Sequence, residues 1–222
     1  MPKRIERCLP ALVSLGAVAL GVLIALAVLQ PPDHEGATLG KVLEALPDSG
    51  VSNPVTAVLL NFRAFDTLLE VGVLLLTLIA VWALDLRLPG AETLPASPLF
   101  SSLLRVSGPL LVLVAGYLLW VGASAPGGAF QAGAVLAGGC LLLRLAGLWH
   151  PPAVILRWAV SVGLLVFLAT ALAMPFLTGG LLQYPPAAAG IWILLIETAA
   201  TVSIAAILTS LFIAREPGEP RR

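Results

Sequence analysis

Residues 188–213 read AAGIWILLIETAATVSIAAILTSLFI, an apolar run whose only ionisable side chain is Glu197. A helix needs about 20 apolar residues to cross a hydrocarbon core of about 30 Å, and this run is long enough. Comparable runs lie near 9–29, 65–85, 103–122, 130–148 and 156–177. All are continuous and rich in Leu, Ala and Val, whereas a membrane barrel is built from alternating segments of about ten residues. The expected fold class is all-α: a polytopic integral membrane protein of about six transmembrane helices. Composition agrees, with 59% hydrophobic and 11% charged residues and a mean hydropathy of +1.02, far from the balance of a water-soluble domain. The lipid bilayer is therefore one partner. A net charge of +0 argues against nucleic acid as another.

The basic residues orient the spans. Lys3, Arg4 and Arg7 precede the first run, Arg87 and Arg105 flank the connection after the second, Arg144 and Arg157 flank the one after the fourth, and Arg215, Arg221 and Arg222 follow the last. With six spans these lie on one side, leaving Lys41 and Arg63 opposite. The positive-inside rule then places both termini in the cytoplasm of a multi-pass protein of the cell inner (plasma) membrane. The first run is too long for a signal-peptide core of about 7–15 residues and is expected to remain as a span. Cys8 and Cys140 have no partner at metal or redox spacing and read as reduced thiols.

Three carboxylates sit in or at the edge of these apolar runs: Asp66, Glu70 and Glu197. An acid in hydrocarbon costs about 2.5–3.5 kcal/mol on insertion scales, so such groups usually mark ion or proton pathways. Asp66 and Glu70 are four residues apart and share a helix face, and Arg63 precedes Asp66 by one turn. Two readings of Asp66 stand side by side: a helix-start acid paired with Arg63, or a member of an ion path. Glu70 lies a turn deeper and Glu197 near mid-membrane, which favours the ion path for both. Carboxylate oxygens accept protons and are hard ligands for small cations.

Two strings divide the chain. Asn53-Pro54 reads as a helix start, and Val55 to Phe62 is an apolar run too short to span, as in an interfacial or re-entrant helix. It leads into Phe62-Arg63-Ala64-Phe65-Asp66-Thr67-Leu68-Leu69-Glu70. This stretch resembles the C-terminal part of the large A-type subunit of Mrp-type multisubunit Na+/H+ antiporters and the small E-type subunit of the related membrane-bound hydrogenases. There a D-F-R-x-F-D-T-x-x-E pattern opens a transmembrane helix. Asn61 stands where that family commonly has aspartate. Further on, Gly122-Ala123-Ser124-Ala125-Pro126-Gly127-Gly128-Ala129-Phe130 reads as a tight turn between spans, because Pro126 fixes its own backbone and Gly127 and Gly128 admit conformations closed to other residues. It resembles the G-H-N-A-P-G-G-G-F string in the B-type subunit of the same antiporters, with Ala123 and Ser124 replacing His-Asn. No role of that histidine carries over.

The resemblance implies three parts: a two-span segment with an extracytoplasmic loop over 1–88, a cytoplasmic linker over 89–100, and a four-helix domain like the B-type subunit over 101–222. It also implies other antiporter-like membrane subunits as partners, with Na+ and H+ as the ions handled. The expected function is an accessory subunit of a cation/proton antiporter, with Glu70, Glu197 and Asp66 on an ion path and Arg63 as a supporting ion pair. The alternatives are a membrane-arm subunit of a hydrogenase- or respiratory-type complex, and a scaffold subunit without an ion path of its own. No phosphate loop, dinucleotide fingerprint or paired metal ligand occurs, so neither enzymatic activity, a metal nor a cofactor is expected. Ala129, Gly133 and Ala137, and likewise Thr201, Ala205 and Thr209, recur every four residues and predict close helix packing.

Overall fold

The computed structural model describes residues 35–84 and 97–213, together with scattered positions between 16 and 29. The chain divides into two units, Met1–Lys41 and Val42–Arg222. In the first unit the expected span 9–29 lies mostly outside the described residues, and its described positions are helical. Most of the 89–100 linker, Cys8 and the basic residues at both chain ends also fall outside them.

A helix α1, Glu35–Ala45, leads into the second unit. There the elements are a short α2 (Pro54–Ala57) prolonged by a π-helical turn over Val58–Phe62, α3 (Ala64–Ala83), α4 (Pro98–Val121), α5 (Ala129–Leu145), α6 (Ala153–Thr178) and α7 (Ala189–Ile213). Among the described residues four helices are long and apolar enough to cross a membrane. They correspond to the second, third, fifth and sixth expected spans. The fourth, expected over 130–148, is α5 at 17 residues, or about 25 Å at 1.5 Å per residue. It stops early because Gly147 takes a left-handed φ of +68°. There the Gly147 N–H bonds the Arg144 carbonyl at 3.0 Å and the Leu148 N–H bonds the Leu143 carbonyl at 2.9 Å, the Schellman pairing that closes a helix.

The linker expected to run to residue 100 ends sooner. Ser97 caps α4 by accepting the Phe100 N–H at 3.1 Å, and Pro98 occupies the first helical position, where its fixed φ fits and its missing N–H costs nothing. α4 and α6 continue through Pro109 and Pro175.

α7 is the central helix. Over half of its most apolar stretch, 56%, is buried within the chain, against 11% for α4. Phe167 and Met174 of α6 meet Ile193 and Ile196 of α7, with Leu68 of α3 beside them. Lower down, Leu78, Val160 and Ile207 continue the same three-helix seam. The small-residue faces serve this internal packing: Ala129, Gly133 and Ala137 are buried, as are Thr201, Ala205 and Thr209. A Cβ on Gly133 would fall 2.8 Å from Ile204, and one on Gly163 would fall 2.7 Å from the Ser203 Cβ. The Ser203 hydroxyl crosses this contact to the Val160 carbonyl at 2.7 Å.

The Gly163→Val substitution should force α6 from α7, break the Ser203 bond and destabilise the bundle by about 1–3 kcal/mol, as overpacking does. A thermal unfolding curve of the purified protein in detergent, compared with the unsubstituted chain, measures this.

Candidate functional site

The approach to α3 is a broken helix. Asn53 sits in extended conformation ahead of Pro54 and its side-chain oxygen accepts the Val55 N–H at 3.1 Å, the expected helix start. The π-helical turn that follows disturbs the usual pairing, and Arg63, at φ −129° and ψ 37°, interrupts the helix. Two side chains stabilise the break. The Thr67 hydroxyl donates to the Leu59 carbonyl at 2.6 Å, and the Asn61 amide donates to the Ser49 carbonyl at 3.0 Å.

The start of α2 grips the turn between α4 and α5. The Asn53 amide donates to the carbonyls of Gly122 at 3.1 Å and Ala125 at 2.9 Å. The Thr56 hydroxyl joins at the Gly122 carbonyl, 2.6 Å away. The N–H groups of Ser52 and Asn53 both donate to the Ala123 carbonyl, at 2.9 and 3.0 Å. The two strings singled out by sequence are thus one hydrogen-bonded structure. Within the turn, Gly128 adopts φ +103° and its N–H returns to the Leu118 carbonyl at 2.8 Å. A Cβ on Gly127 would strike that same carbonyl at 2.5 Å, so Pro126-Gly127-Gly128 folds back on the end of α4 only without side chains at the two glycines.

Glu197 lies against the end of this turn. It is eight residues past the start of α7, about 12 Å along the helix, and only 3% exposed. The Ala129 backbone N–H, first in α5, donates to its carboxylate, and the positive end of the α5 dipole faces the same oxygens. Contact with the turn is close: a Cβ on Gly128 would fall 2.8 Å from Glu197 Oε1. Gly128 is therefore demanded twice, by its φ and by the carboxylate above it.

Glu197 lines two cavities. One, about 380 Å³, is bounded by Thr56, Leu59, Thr67, Gly128, Gln131 and Phe167 among others. The other, about 390 Å³, is bounded by Val51, Ser52, Trp120, Ala123, Ser124 and Ile193 among others. Among the described residues lining either, Glu197 is the one acid or base. Ala123 and Ser124, at the positions of the His-Asn pair in the resembling string, face the second cavity, which thus lacks a titratable partner there.

The other sequence candidates lie elsewhere. Arg63 and Asp66 form an ion pair at 2.5 Å, with side chains 69% and 46% exposed, where screening leaves such a pair about 0–1 kcal/mol. Asp66 stands in the first turn of α3, and Arg63 fills the helix-cap position. Glu70 is exposed on the outer face of α3 and lines neither cavity. The three acids expected on an ion path thus occupy two places, Glu197 at an inner site and Asp66 with Glu70 on an outer stripe of α3. Sequence reasoning passed over Asn53 and Thr56 as clamps on the turn. The Asn-Pro pair signals a cap, but nothing in the chain says what else that amide reaches.

Replacing Asn53 by Ala should leave the Ala125 carbonyl without its donor and cost about 1–3 kcal/mol. Hydrogen exchange should show faster amide exchange over residues 122–130 while α6 stays protected.

Residues 99–214 match the family described as "Domain related to MnhB subunit of Na+/H+ antiporter", and residues 5–98 match the MbhE family, the E-type subunit of MBH. A curated relative, the probable K(+)/H(+) antiporter A/B-type subunit of Rhizobium meliloti (strain 1021), is 31% identical over 216 residues, covering 79% of this chain and 21% of the relative. The chain thus spans about a fifth of that relative's length. Two solved structures share the fold at 24% identity. The Mrp complex of Dietzia sp. DQ12-45-1b gives a TM-score of 0.62 over 95% of this chain and 27% of its own. The archaeal membrane-bound sulfane sulfur reductase, a respiratory membrane complex, gives 0.69 over 96% and 98%. With the cavity-facing glutamate, the Pro126-Gly127-Gly128 turn and the apolar helices, these matches place the chain in the family of multi-pass membrane proteins whose domain is related to the MnhB component of Na+/H+ antiporters.

Proposed function

We propose that this chain is an accessory subunit of a multisubunit monovalent cation/proton antiporter of the cell membrane, and that Glu197 is its proton- or cation-exchanging group. The supporting observation is the position of Glu197: buried, in contact with the first N–H of α5, and lining cavities on two sides. A carboxylate so placed takes a proton or small cation from one cavity and releases it to the other. It requires no chemistry beyond binding and release. The family description names a Na+/H+ antiporter and the curated relative a K+/H+ antiporter, which supports a monovalent metal ion as the cation. Asp66, Glu70 and the supporting Arg63 contribute from the outer face of α3, on a path shared with a neighbouring subunit.

A second reading has its own support. The MbhE match and the near-complete overlap with one chain of the sulfane sulfur reductase complex favour a membrane arm coupled to a redox partner. Purification of the tagged complex from native membranes separates the two. Antiporter-like subunits alone support exchange, whereas co-purifying metal-cluster subunits support the redox-coupled arm.

The Glu197→Gln substitution preserves shape and hydrogen bonding but removes the titrating group. In everted vesicles it should lower cation-dependent proton exchange about tenfold or more while complex assembly is unchanged. Gly128→Ala, which drives a methyl into the carboxylate, should impair exchange in the same way. Full exchange in both variants would instead identify a scaffold.

A further inference from the structure

Glu70 poses a problem that the described residues of this chain do not solve. It lies six residues into α3, about 9 Å from the helix start, and no other charged residue follows it in that helix. Its residue is exposed, among exposed Leu69, Val73 and Leu76. The nearby cation is already committed, since Arg63 pairs with Asp66. With α3 spanning the membrane, a carboxyl group facing lipid is disfavoured.

The same line of α3 carries further polarity. Asp66, Glu70, Val73 and Thr77 follow at intervals of three and four residues and so lie along one edge of the helix. Thr77 is exposed too, its hydroxyl turned to the Val73 carbonyl at 2.8 Å. The opposite edge, with Leu68, Val71 and Leu78, is buried against α6 and α7. α3 therefore packs against α6 and α7 by one side and presents an exposed acid on another.

We infer that the Asp66–Glu70–Thr77 edge of α3 is a subunit interface, covered by a transmembrane helix of another protein that brings a lysine, arginine or histidine to the level of Glu70. Charge complementarity defines the occupant: lipid tails offer the carboxylate nothing, and a purely apolar helix leaves it unpaired. The inference depends on α3 spanning the membrane and not on ion exchange at Glu197.

The test uses the full complex in native membranes. p-Benzoylphenylalanine in place of Val73 should crosslink on illumination to another subunit, and mass spectrometry should locate the product on a helix bearing a basic residue. In parallel, Glu70→Lys should lower recovery of that subunit with the tagged chain at least tenfold, and Glu70→Gln by less. Adducts with lipid only, or with a helix free of basic residues, would overturn the proposal. So would undiminished recovery of the partner with Glu70→Lys at normal levels of the chain in the membrane. If Glu197→Gln abolishes exchange yet position 73 meets only lipid, this inference and the shared path along α3 fall while the role of Glu197 in exchange stands.

Discussion

A carboxyl group buried between helices needs polar company, and here the backbone supplies part of it. Glu197 takes the first N–H of α5, and that N–H is available because α5 starts immediately after a turn with no side chain at Gly128. Much of the second unit can be traced from this contact. The turn must fold back on the end of α4, so Gly127 and Gly128 are needed. The turn's carbonyls must find donors, so Asn53 and Thr56 reach across from the start of α2.

The short α2 and its π-helical turn are what join the N-terminal stretch to the rest. A continuous helix through residues 54–83 would carry Asn53 away from the α4–α5 turn. The break at Arg63 lets α2 lie beside the turn while α3 runs down the bundle. Breaks of this kind leave carbonyls to be satisfied, and the Thr67 bond to Leu59 does so from the next helix. The segments matching the MbhE family and the MnhB-related domain are accordingly one folded body from residue 42 onward.

The helical membrane architecture was legible in the chain, because apolar runs of spanning length have few other solutions. Most boundaries were met within a few residues. Where they were not, local chemistry explains it: Ser97-Pro98 starts α4 inside the expected linker, and Gly147 ends α5 short of the expected end. The buried stripes of α5 and α7 were legible as well, since four-residue spacing of small side chains puts them on one face.

Sequence by itself determined which residues were expensive to bury: Asp66, Glu70 and Glu197 stand out because an acid in an apolar run is costly wherever the helix lies. It also marked Pro126-Gly127-Gly128, since only a few residue types accept such a turn. Only the tertiary structure decided that Glu197 faces cavities while Glu70 faces outward, because the side of a helix that meets its neighbours depends on packing far along the chain. The pairing of Gly128 and Ala129 with Glu197, and of Asn53 with Gly122 and Ala125, likewise joins residues about seventy positions apart. No local pattern specifies such pairs; they arise when α2, α5 and α7 close around one carboxylate.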